Sequence, residues 1–71
     1  MEKSDFLKRL GKNIIKLREQ KGWAQSELSR NGDKDRQSIE RLENGKINPS
    51  AFYLKEIADG LGVPINELLK F

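Results

Sequence analysis

The sequence predicts a compact all-α fold of five helices. Three observations carry that expectation. Apolar residues recur at three- and four-residue steps in several segments, the period of a one-sided helix. Glycine and proline punctuate the chain between those segments. No run alternates apolar and polar residues as a half-buried strand would.

The first helix is the longest. Phe6, Leu10, Ile14 and Leu17 form its predicted apolar stripe, with Leu7 beside them. Ser4 or Asp5 is the expected N-cap, and Gly22 the expected left-handed residue beyond its end. Trp23 and Ala24 lead into a short second helix that starts at Gln25, reaches about Asn31 and buries Leu28. Trp23 is expected to be a core or half-buried anchor. Gly32-Asp33-Lys34-Asp35 is the predicted turn, with Gly32 at positive φ and Asp35 capping the next helix. The third helix starts at Arg36 and ends at Glu43 or Asn44, where Gly45 stops it. Pro49 and Ser50 prepare a fourth, with Ser50 as N-cap and Leu54, Ile57, Ala58 and Leu61 as its stripe. One of Phe52 and Tyr53 should face inward. A fifth helix is predicted from Pro64, at its first turn, to Leu69, with Leu68 in the core.

Length and composition narrow the function. Seventy-one residues are expected to form one domain covering the whole chain. Cysteine and histidine are both absent. No disulfide or thiolate metal site is possible, and the commonest neutral-pH base and metal ligand is missing. No carboxylates, lysines or hydroxyls stand at a catalytic spacing, so no catalytic residue, metal or cofactor is expected and an enzyme is disfavoured. The net charge is +3. It is unevenly placed: residues 1–22 carry seven bases against three acids, whereas residues 23–71 carry seven against eight. A basic first helix suits phosphate contact or a merely solubilising surface. No stretch approaches the ~18 apolar residues of a membrane span, and no signal peptide is visible. A cytoplasmic protein with no membrane partner is expected.

The third helix carries the chemistry. At about 100° per residue, Ile39 and Leu42 point to one side. Gln37, Glu40, Arg41 and Asn44 point to the other, with Arg36 at the edge. Guanidinium and carboxamide groups hydrogen-bond base edges in pairs, so this face suits the DNA major groove. A solvated face on an ordinary amphipathic helix has the same pattern. Gln25, at the first position of its helix, stands where unpaired backbone N–H groups favour an anion such as a DNA phosphate.

The order of a basic helix, GWAQSEL, a turn, RQSIERLENG, NPS and LKEIADGLGVPINELL resembles the Cro/C1-type, or xenobiotic-response-element, helix-turn-helix family of lambdoid phage repressors and small bacterial regulators. QSIERLENGK and IADGLGVPINELL are its most specific parts, and the likeness covers about residues 6–70. It implies a lambda repressor-like DNA-binding domain whose motif spans about residues 24–44. It further implies base contacts from Arg36, Gln37 and Arg41, with Glu40 accepting from cytosine or orienting an arginine. Gln25 would hold a phosphate and brace the recognition helix, and Ser38, Asn44 and Lys46 would make phosphate or secondary contacts. Arg18 and Glu43 would form a partly buried ion pair. Two departures stand out: Ala24 replaces the usual Ser or Asn cap, and Gly32-Asp33-Lys34 replaces an apolar-Gly-apolar turn.

The expected function is therefore a regulator of transcription, a repressor, that binds double-stranded DNA as a homodimer on a palindromic operator. Ile65, Leu69 and Phe71 are the candidate dimer contact. The rival is an antitoxin-like module that uses the same scaffold to bind a partner protein such as a toxin.

Overall fold

The computed structural model describes residues 1–71. It contains four α-helices, α1 (Lys3–Gln20), α2 (Gln25–Asn31), α3 (Arg36–Glu43) and α4 (Ala51–Leu61), followed by a 3₁₀-helix at Ile65–Leu69. They enclose one core of Leu10, Ile14, Leu28, Ile39, Leu42, Ile57, Ala58, Leu61 and Leu68. Trp23, Leu54 and Tyr53 pack on it from the rim. Phe52 faces out. No helix is long and apolar enough to cross a membrane.

Local signals explain most boundaries. Asp35 accepts a hydrogen bond from the Ser38 N–H at 2.6 Å, and Ser50 accepts one from the Tyr53 N–H at 3.0 Å. Each side chain thereby satisfies a donor that the helix start leaves free. Ala24 has no acceptor to offer, so only half of a capping box forms at α2: its N–H donates to the Glu27 carboxylate at 2.8 Å. Gly22, Gly45 and Gly62 take φ near +70° after α1, α3 and α4.

Four expectations fail, each for a physical reason. Phe6 is 40% exposed, and Leu7 is buried instead. A four-residue step overshoots one turn by about 40°, so two such steps back from Ile14 carry Phe6 well off the core face. Leu7, seven residues back, stays on it. The N-cap of α1 is Glu2, with no side-chain cap, so neither Ser4 nor Asp5 fills that role. Gly32 has φ −94°, and the left-handed residue is Asp33 at φ 57°. Aspartate is one of the few side chains that tolerate this region. Gly32 is used for contact instead: a Cβ on Gly60 would lie 2.8 Å from the Gly32 Cα. Finally, the fifth helix is a five-residue 3₁₀ segment with Pro64 just before it. The Asn13 side chain, buried in α1, donates to the carbonyls of Glu67 and Leu68 at 2.8 and 2.9 Å. That clasp seats Leu68 in the core.

Candidate nucleic-acid interface

Ile39 and Leu42 are 0% and 1% exposed and hold α3 against the core from behind. The opposite side carries Arg36, Gln37, Glu40 and Arg41, all exposed, with Asn44 and Lys46 exposed just beyond the helix. A cleft of about 330 Å³ opens alongside, lined by Asp35, Gln37, Ser38, Arg41 and Ile47. The tips of Gln37, Glu40 and Arg41 make no hydrogen bond or ion pair with the scaffold; Glu40 pairs with neither arginine. These groups are therefore free to bond an external ligand.

Behind the face lies a polar hub. Arg18 of α1 donates to both oxygens of Glu43, from Nε at 2.7 Å and from Nη2 at 3.0 Å. Its Nη1 donates to the carbonyl of Trp23 at 2.7 Å. Gln25 Nε2 donates to Glu43 Oε1 at 2.9 Å, and Arg36 Nη1 makes a long 3.5 Å contact with Gln25 Oε1. One carboxylate, its side chain 2% exposed, thus joins the end of α1, the start of α2 and the end of α3. The hydrogen bond to Glu43 raises the Arg18 pKa above its ordinary value, so the guanidinium stays charged at any working pH. Gln25 faces inward in this arrangement and braces the helices.

Ser38 is half-buried, and its Oγ lies 2.6 Å from the Tyr53 hydroxyl of α4. Lys34 of the turn reaches α4 as well. Its ammonium sits 2.5 Å from Glu56 Oε1 and 4.7 Å from the centre of the Tyr53 ring. The hydrogen bond to Glu56 raises the Lys34 pKa. A raised folded-state value means that this contact is fully present below the ordinary lysine range and is lost as pH rises through the folded value.

Ile65, Leu69 and Phe71 are 39%, 46% and 43% exposed. Phe6 joins them, its ring edge-on to Phe71 with centroids 5.4 Å apart. The 3₁₀-helix that carries Ile65 and Leu69 packs on α1 and α4, whereas α3 packs on α1 and α2. The apolar patch and the polar face are therefore built on different elements.

Sequence reasoning missed several positions. Gly11 lets α1 touch the backbone of α3, since a Cβ there would lie 2.3 Å from the Glu43 carbonyl oxygen. A glycine inside a long amphipathic helix was the available signal. Asn13, buried on the same helix, was visible as a polar residue next to the apolar stripe. Nothing local marks the Tyr53 hydroxyl or Glu56 as a contact to the turn and α3.

Residues 14–68 match the helix-turn-helix family model. An uncharacterized HTH-type transcriptional regulator, y4dJ of Sinorhizobium fredii, is 37% identical over 92% of this chain and 84% of its own. Control protein C.MunI of a Mycoplasma species is 36% identical over 92% of this chain and 89% of its own. Among solved structures, the restriction-modification controller protein C.AhdI of Aeromonas hydrophila superposes with a TM-score of 0.85 at 29% identity, over 87% of this chain and 94% of that one. The hypothetical transcription factor NHTF of Neisseria gives 0.86 at 30% identity, over 97% and 79%.

Proposed function

We propose that this chain, which belongs to the Cro/C1-type helix-turn-helix family of DNA-binding transcriptional regulators, reads a duplex operator with the outward face of α3. One observation carries the reading: Arg36, Gln37 and Arg41 stand exposed together on a short helix wedged from behind by Ile39 and Leu42. Arginine reads guanine O6 and N7, and glutamine reads adenine N6 and N7. Glu40 accepts from a cytosine amino group. Asn44 and Lys46 meet the flanking phosphates, whereas the half-buried Ser38 hydroxyl is engaged by Tyr53. Gln25 positions Arg36 and the start of α2 at the backbone.

One 71-residue domain makes few base contacts. Two copies on a palindrome, one helical turn apart, multiply affinity. The exposed Ile65, Leu69 and Phe71 support a homodimer, and such a dimer would repress by occupying a promoter. The match to a restriction-modification controller makes operators of such systems the first sequences to try.

Selection from a random duplex pool tests the reading. An enriched palindrome is the expected result. Arg36→Ala and Gln37→Ala should each cost about 1–3 kcal/mol on that sequence and relax the preference at one base position. Lys46→Ala should weaken all sequences alike and reduce the slope of log affinity against log salt by about one. A pool that yields no motif would hand the scaffold to a protein partner instead.

A further inference from the structure

From Ser29 to Ser38 the chain has no apolar side chain. Apart from Gly32, whose backbone packs on α4 beside Gly60, the turn and the first three residues of α3 therefore have no apolar side chain to bury, and the first apolar anchor of the recognition helix is Ile39. Yet Arg36 and Gln37 lie ahead of that anchor. Apart from its own N-cap and the long 3.5 Å contact of Arg36 with Gln25, the start of α3 has no side-chain tie of its own to α1 or α2.

α4 supplies the missing support by polar means. Tyr53 and Glu56 lie one turn apart on α4, which is fixed in the core by Ile57, Ala58 and Leu61. Glu56 holds Lys34 of the turn at 2.5 Å. The Lys34 ammonium covers the Tyr53 ring at 4.7 Å, an attraction between cation and ring face that stiffens the phenol. The phenol oxygen meets the Ser38 hydroxyl at 2.6 Å. The side chains of Lys34 and Glu56 are 18% and 26% exposed, so the pair is largely shielded from water.

We infer that Tyr53 is a positioning residue for sequence recognition: through Ser38, and braced by Lys34 and Glu56, it sets the pose of the Arg36–Gln37 end of α3. This rests on the DNA-reading function proposed above. Paired base contacts tolerate errors of only about 0.5 Å in the groups that make them. Attraction to phosphates is far less demanding of geometry. Loosening the latch therefore erodes discrimination and spares non-specific binding.

The test compares Tyr53→Phe, Ser38→Ala, their double variant and Ser38→Thr, each on the selected duplex and on a scrambled one. The first two should each lower the ratio of the two affinities about fivefold, the size of one net hydrogen bond. The double variant should lose no more than either single, because both remove one shared contact. Ser38→Thr keeps the hydroxyl and should keep the ratio. Equal losses on both duplexes would overturn the inference, since the hydroxyls would then be phosphate ligands. So would an unchanged ratio, or a loss of thermal stability with the ratio intact.

Amide hydrogen exchange without DNA separates the latch from the DNA reading. In Tyr53→Phe, exchange at Ile39 and Glu40 should rise about fivefold while Ile57 and Ala58 stay protected. If the wild-type protein selects no sequence, this measurement decides alone, and unchanged exchange at Ile39 overturns the latch.

Discussion

Glu43→Ala is expected to destabilise the protein by about 3–5 kcal/mol, the usual cost of removing one partner from a buried ion pair. Arg18, whose side chain is 11% exposed in the intact pair, would lose its carboxylate. Gln25 would lose its acceptor too. Domains of this size have roughly 0.05–0.15 kcal/mol of stability per residue, so the loss takes a large share of the total. Urea unfolding followed by circular dichroism checks it. A midpoint shift that, at unchanged slope, corresponds to less than about 1 kcal/mol would show that water, or another acceptor, replaces the carboxylate. Glu43→Gln refines the result: it keeps the shape and an acceptor, so its difference from the wild type reports the charge, and its difference from Glu43→Ala reports the packing and the remaining hydrogen bond. The effect on DNA binding should follow, because the carboxylate also ties the starts of α2 and α3 together through Gln25 and Arg36.

Gly11→Ala is the second large effect, and there even the sign is informative. Helix propensity alone predicts a gain of about 1 kcal/mol, since glycine is a poor residue for a helix interior. The new Cβ, however, would stand 2.3 Å from the Glu43 carbonyl oxygen and 2.8 Å from that of Leu42. Both are backbone atoms of the recognition helix and cannot rotate aside. α1 and α3 must separate, and the Arg18–Glu43 pair stretches with them. We expect a net loss of about 2–3 kcal/mol, the upper part of the range for overpacking. In a domain of this size that is a fall in Tm of roughly 10–20 °C. A Tm at or above the wild type would mean that the helices part at little cost. Gly22→Ala is the matched control: nothing lies within 4 Å of a Cβ there, and only the φ of +72° opposes it.

The parts of this protein that were legible in the sequence are those governed by local rules. Ile39 and Leu42 were placed by helical period, which also turned Arg36, Gln37 and Arg41 outward. Asp35 and Ser50 were legible as caps because a short acceptor immediately before a helix has one job. Phe6 was misread because steps of four drift around the helix and the stripe was followed one step too far. Asp33 was misread because the glycine next to it has the lower conformational barrier, yet its hydrogen atom is needed where α4 presses against the turn. The Tyr53–Ser38 contact spans 15 residues and joins two surface-compatible side chains. No periodicity encodes such a meeting, so only coordinates reveal it. The apolar turn was missing from the sequence, and its polar substitute could not be guessed from composition.

The outward tips of Gln37, Glu40 and Arg41 bond to nothing in their own chain, while Glu43 and Ile39 on the same eight-residue helix are wholly committed inward. Text and binding are thus separable in this molecule. Exchanging those three letters alone should rewrite which duplex is chosen and leave the melting curve where it was, so relatives with divergent targets can descend from one scaffold without refolding it.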